Sequence, residues 1–271
     1  MTENGLAEPK VRQQAFYRSL GGGRFESSSA TGGRWSAKAQ HAGPPSALLG
    51  RALEGHEARE GFRVARVTLE LPRPIPVGEL HVEVRTLRSG GRTELIEGRL
   101  TSDGNTVMLG RAWRVAISPA DTPQLRPEPG PPPLPQPQAP HTMAGAHVDG
   151  YIAAVEWRFE SGKGFDTPGP GMAWARQRIP LVAGEPDTPL TRARTLADSS
   201  WAVAFELDHF RQLVINTDIT LALHREPVGE RFCIRSSTAS SPAGSGLALG
   251  QLDDTTGDCG RILQTLLVAG R

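Results

Sequence analysis

The chain has almost no net charge. Its 30 basic and 29 acidic side chains leave +1, so bulk electrostatics gives it no pull toward nucleic acid or an anionic surface. It lacks any apolar run long enough to span a bilayer, so no membrane insertion is expected. Residues 1–10 are polar and have no apolar centre, so no secretory leader is expected either. Only two cysteines occur, Cys233 and Cys259, without metal-ligand spacing and too few for a disulfide framework. They are expected to be small core residues, and a reducing cytoplasm is the expected compartment. The seven histidines contain no His-x3-His pair, so no metal is expected. There is no Gly-x-Ser-x-Gly, which argues against an α/β-hydrolase esterase. "GSGLALG" is not set in a strand–turn–helix with a later acidic residue, so it is no dinucleotide fingerprint. No cofactor is implied.

What the chain does have is proline in one place and repetition elsewhere. "ADTPQLRPEPGPPPLPQPQAP", residues 120–140, can neither join a sheet ladder nor continue a helix. Read as a linker over 119–148, it separates an N-terminal unit, 1–118, from a C-terminal unit, 149–271. With 38% hydrophobic residues, each is adequate for its own core.

The two units carry the same signals. "RPIPVGELHVEVR" in the first is echoed by "REPVGERFCIR" in the second, each a turn followed by an alternating, half-buried strand. "HAGPPSALLGRALEGHE", 41–57, reads as a helix with Pro44 and Pro45 in its first turn and Leu48, Leu49, Ala52 and Leu53 as its apolar stripe. "DTPLTRARTLADSSWAVAFEL", 187–207, reads as its counterpart, with Thr188 as N-cap and Pro189 at the first helical position. Strand-like segments follow each helix, and "TSDGNTVMLGRA" matches "DDTTGDCGRILQ" in position. The expected fold is α+β. It is a tandem, or double, hotdog in which each half wraps a bent antiparallel sheet around one long helix, because neither helix nor sheet can bury its apolar face alone.

Taken together, "HAGPPSALLGRALE", "PLVAGEPDTPLTRARTLADSS", "INTDITLALHREPVGE", "SSTASSPAGSGLA" and "GRILQTLLV" give the chain a resemblance to the double-hotdog acyl-CoA thioesterase II family and its actinobacterial relatives. The resemblance covers nearly the whole chain apart from the proline-rich stretch. It implies hydrolysis of acyl-CoA thioesters without a covalent intermediate, and acyl-CoA as the partner molecule. It further implies a water oriented by an Asp on the second helix, a Thr or similar residue on the next strand, and a Gln on the last strand. Those positions fall at Asp198, Asn216 and Gln264; Asn replaces the family's Thr but can still donate and accept.

A thioester hydrolase needs a positioned water, a group to activate it, and donors for the developing oxyanion. Asp198, reaching inward from the helix body, could serve as base if burial raises its pKa. Asn216 and Gln264 could fix the water without competing for its proton. The oxyanion donors are left open among the Gly171 region, the second helix and the first helix after Gly43. His41 and Gly43, and Thr217 on the opposite strand face, are the substrate-contacting candidates. At positions matching Asp198 and Gln264 the first half offers Ser46 or Ala47 and Arg114, so it is expected to be catalytically silent. Two other readings stand beside this one: a non-catalytic acyl-ligand binding or assembly module, and a hotdog hydratase or dehydratase. The latter needs a His base with an acidic partner, and the second half offers only His209 and His224. A homo-oligomer formed through hotdog sheet edges is expected.

Overall fold

The computed structural model describes residues 13–118, 122–123, 125, 130–141, 147–208 and 211–270. The first half contains β1 (Tyr17–Gly21), β2 (Arg24–Ser27), the short hairpin β3 (Gly32–Gly33) and β4 (Ser36–Gln40), and helix α1 (Gly43–Gly55). Then come β5 (Phe62–Glu70), β6 (Glu79–Ser89), β7 (Thr93–Ser102) and β8 (Asn105–Ala116). The second contains α2 (Tyr151–Ala154), β9 (Val155–Phe159), β10 (Gly171–Gln177), α3 (Pro189–Ala197) and α4 (Ser200–Val203). Strands β11 (Gln212–Asn216), β12 (Asp218–Leu223), β13 (Arg231–Ser240), β14 (Ser245–Asp254) and β15 (Gly257–Gly270) complete it.

All strands except β3 and β4 join one antiparallel sheet. Its order is β1-β2-β6-β7-β8-β5-β12-β15-β14-β13-β10-β9, with β11 pairing the far end of β15. That order reads the same from both ends once β5 is matched to β12, β8 to β15, β7 to β14 and β6 to β13. The halves meet at β5–β12, in register from Thr68↔Thr220 to Glu70↔Asp218. The repeated Pro-Val-Gly-Glu is the turn into β6 and into β13, and Gly229 there has φ +79°, a conformation that favours glycine. This is the double hotdog expected from the sequence.

The helices lie on the inner face of the sheet. Leu48, Leu49 and Leu53 of α1 are fully buried, each such leucine contributing about 2 kcal/mol of burial. Thr188 caps α3 by accepting from the Thr191 N–H at 3.1 Å, with Pro189 at the first turn. The expected single helix over 187–207 is, however, two: α3 ends at Ala197 and α4 restarts at Ser200. The expected strand "LVINTDITLALHRE" also breaks. At the bend, Asp218 accepts the Thr265 N–H at 2.9 Å in place of a backbone carbonyl, so β11 and β12 both run along β15 with Thr217 between them.

The proline-rich segment does more than connect. Gln138 accepts the Phe159 N–H at 2.9 Å and donates to the Phe159 carbonyl at 2.7 Å, while Arg158 donates to the Pro135 carbonyl. A side-chain amide thus takes a strand's place along β9. At the opposite end, Tyr17 of β1 donates to Leu181 and accepts from Ala183. Each terminal strand thus has one residue whose outer backbone groups are engaged, Tyr17 in β1 and Phe159 in β9. No helix among the described residues is long and apolar enough to cross a membrane.

Candidate active site

The gap between α3 and α4 has a cause. In an unbroken helix the Trp201 N–H would bond to the Ala197 carbonyl. Instead it donates to Gln264 Oε1 at 3.1 Å, and Gln264 Nε2 donates to the Asp198 carbonyl at 3.2 Å and to Asp198 Oδ1 at 3.1 Å. A buried amide from β15 has entered the helical ladder and opened it. Tyr151 holds the same turn from the other side, its hydroxyl donating to the Thr195 carbonyl at 2.9 Å and lying 3.0 Å from Ser199 Oγ. Asp198 is therefore at the end of α3, not in a helix body as its sequence position implies.

Around its carboxyl the chain converges. Asn216, the last residue of β11, donates from Nδ2 to Asp198 Oδ1 at 2.8 Å. The backbone N–H groups of Ala42 and Gly43 also donate to Asp198. His41 Nδ1 lies 3.0 Å from Asp198 Oδ2 and 3.1 Å from the Gly43 nitrogen. Pro44 and Pro45 follow, without N–H groups, so the start of α1 directs its few donors to this one point. Gly43 permits the approach: a Cβ there would sit 2.2 Å from the Thr195 carbonyl oxygen.

The electrostatics follow from burial. Desolvation pushes the Asp198 pKa up to about 7, against the downward pull of Asn216, the α1 amides and Gln264. Its place at a helix C-terminus, where carbonyl dipoles disfavour negative charge, acts in the same direction as burial. Desolvation, then the positive charge of Arg34, lowers His41 to about 3, so the imidazole is neutral. With the imidazole neutral, the 3.0 Å His41–Asp198 contact is not an ion pair. His41 also stacks on Tyr151 at 3.8 Å, with 10° between the ring planes.

Of the residues singled out from the sequence, Asp198, Asn216, Gln264, His41 and Gly43 meet here. Thr217 does not: it is exposed in the bend, its hydroxyl turned to Asp218 and to the Thr265 carbonyl. Of the three expected sources of oxyanion donors, the start of α1 is the one at the carboxyl. His224 is exposed, and His209 lies outside the described residues. Tyr151 is not foreseen from the sequence: it lies just before the strand-like "AAVEWRFES", and nothing local marks the ring as part of a site. Among the described residues no three His, Cys, Asp or Glu side chains stand together as metal ligands.

A small cleft begins one residue before Asp198, between α1, α3 and the β5–β12 seam. Val67, Leu69, Ala197, Ile219 and Leu221 line it, with Ser46 and Arg194 at its wall. A larger cavity between the proline-rich segment and α2 contains none of the Asp198 cluster, so the chemistry rather than the volume marks the site.

Residues 31–115 match the family model described as acyl-CoA thioesterase N-terminal domain, and residues 123–268 match its acyl-CoA thioesterase C-terminal domain. Among solved structures, the chain is similar to a Thermobifida fusca protein described as a thioesterase II, with 19% identity, a TM-score of 0.72, and 95% of this chain and 98% of that chain covered. It is also similar to a conserved hot dog fold protein from Alicyclobacillus acidocaldarius, with 17% identity, a TM-score of 0.69, and 95% and 97% covered. A third is the acyl-CoA thioesterase II of Mycobacterium marinum, with 15% identity, a TM-score of 0.64, and 96% and 97% covered. At these identities the structures speak for the fold. No curated protein matches the chain.

Proposed function

Since the chain belongs to the acyl-CoA thioesterase family and is a thioester hydrolase by that membership, we propose that Asp198 is its general base and that Asn216 and Gln264 position the attacking water. Water adds to the thioester carbonyl carbon as its proton passes to Asp198. The carbon–sulfur bond then breaks, the acid leaves, and the proton goes to the coenzyme A thiolate. A thiolate is a good leaving group near neutral pH, so little acid assistance is needed. The positive end of α1, whose Ala42 and Gly43 N–H groups donate to Asp198, lies beside the reacting carbonyl and favours the negative charge that develops there. The observation carrying this reading is the Asp198 carboxyl, raised to about 7 and held by two amides from different strands. A base with its pKa near the working pH combines the ionised form with useful proton affinity. Two buried free thiols, Cys233 and Cys259, agree with a reducing cytoplasm.

The experiment is release of free coenzyme A thiol from saturated acyl-CoAs of increasing length, with parent and Asp198→Asn proteins. Turnover by the parent and its loss in the variant support the assignment; equal rates would refute it, and no turnover on any chain length favours an acyl-binding module. The His41–Asp198 contact favours one second reading, a hydratase. The first half supplies, in His41, the histidine that the second half lacks, and Asp198 is its acidic partner. Hydration of an enoyl-CoA with the thioester left intact would select it.

A further inference from the structure

The Asp198 carboxyl is crowded. Asn216 and Gln264 donate to its Oδ1, the Ala42 and Gly43 N–H groups also donate to it, and His41 Nδ1 stands 3.0 Å from Oδ2. An ionised carboxylate has about four lone-pair sites, so these five neighbours leave none for a water. The Asp198 side chain is 4% exposed, against 13% for His41. His41 Nε2 has no partner among the described residues and is not sealed from solvent. The pair therefore meets the outside through the imidazole. The ring is held in place by its stack on Tyr151, whose hydroxyl is tied to the Thr195 carbonyl. The Gly43 N–H reaches Nδ1 at 3.1 Å and Asp198 as well, so it has an acceptor wherever the proton of the pair sits. Burial and the Arg34 charge oppose a cationic ring, so a proton that arrives at one nitrogen has to leave from the other.

We propose that His41 is a catalytic residue that carries the water's proton to Asp198 and returns it to the leaving sulfur. This rests on Asp198 as the base and supplies the path to it. At rest, Nδ1–H donates to ionised Asp198 and the Nε2 lone pair faces the water. As the water oxygen bonds to the carbonyl carbon, its proton goes to Nε2 and the Nδ1 proton goes to Asp198 Oδ2. As the carbon–sulfur bond breaks, its electron pair stays on sulfur and the Nε2 proton joins it. Asp198 then returns its proton to Nδ1, and the pair is back at its starting state. The ring is neutral throughout. Asn216 and Gln264 place the water through the carboxyl they fix. The first half thus contributes a reacting group, although its own positions matched to Asp198 and Gln264 carry none.

The test has two arms, both on the full chain and read as thiol release from an acyl-CoA. In mixtures of H2O and D2O, kcat/KM of the parent is expected to fall along a downward-bowed curve, because two protons move in one step; a straight line overturns the relay. His41→Ala removes the ring and leaves its space against Tyr151. Its rate is expected to fall by about 10²-fold, the lower end of what side-chain proton transfer supplies, with circular dichroism unchanged. Free imidazole is expected to restore activity saturably in His41→Ala, and not in His41→Ala combined with Asp198→Asn. Full activity in His41→Ala, or a loss that imidazole does not repair, overturns the inference. Asp198→Asn separates this from the base assignment: if it keeps full activity, the base assignment fails too, and if it alone loses activity, only the relay fails.

Discussion

The last strand of each half carries a buried polar residue at the same place after Gly-Arg: Arg114 in β8 and Gln264 in β15. Arg114 turns to the carbonyls of Leu53, His56 and Glu57 at the end of α1, and faces Glu94, which Arg59 also holds at 2.7 Å. The arginine completes the C-terminus of a continuous helix. Gln264 instead enters the helix, separates α3 from α4, and donates to the carboxyl exposed by the break. One side chain terminates a helix and the other interrupts one. A duplicated fold can thus end a helix in one half and break one in the other without changing strand order.

The strongest way to break the comparison is Asp198→Asn. Removing the carboxyl proposed as the base should lower kcat/KM for acyl-CoA by about 10³-fold, in the range general-base catalysis supplies, read as coenzyme A thiol release. Next is the exchange Gln264→Arg, which makes the second half resemble the first. A cation beside Asp198 would hold its carboxyl ionised and take its lone pairs, and activity should fall by at least about 10²-fold. The reverse exchange, Arg114→Gln, should cost about 3 kcal/mol in urea unfolding, because Glu94 loses a buried partner, and should bring no new activity to the first half.

A subtler difference appears with pH. The folded-state pKa of Asp198, about 7, lies above its unfolded value near 3.9. The folded protein therefore binds the extra proton between those values, and this group's contribution to stability falls as pH rises from about 4 to about 7, then levels off. Asp198→Asn should melt higher than the parent at pH 8, and the gap should shrink by pH 5. In the parent, kcat/KM should rise with pH to a plateau, with an apparent pKa near 7 and no contribution from His41, already neutral there. Smallest is Asn216→Thr, the family's own residue: a shorter donor at the same strand end should change kcat/KM by less than about 10-fold. A loss as large as that of Asp198→Asn would mean that the amide's reach is indispensable.

Much of the fold was legible because its signals are local. Pro-Val-Gly-Glu specifies a turn wherever it occurs, Thr188 and Pro189 start a helix from their own backbone preferences, and alternation marks each strand. The site was legible in part. Asp198, Asn216 and Gln264 could be named from their resemblance to a family pattern, but Asp198 was read in a helix body because "TLADSSWAV" has no breaker. The breaker is Gln264, 66 residues away. A regular strand puts Thr217 on the face opposite Asn216; the Asp218–Thr265 bond instead places it in an exposed bend between two strands. His41 looked like a cleft residue of a silent half.

By itself, then, the sequence determined the elements, their order and their repetition, since backbone preference and hydrophobic period act over a few neighbouring residues. Only the tertiary structure decided that His41 and Gly43 of one half and Asp198, Asn216 and Gln264 of the other share a point, and that burial there brings an aspartate to about 7. Desolvation and hydrogen bonds between distant segments exist only once packing has excluded water from between them.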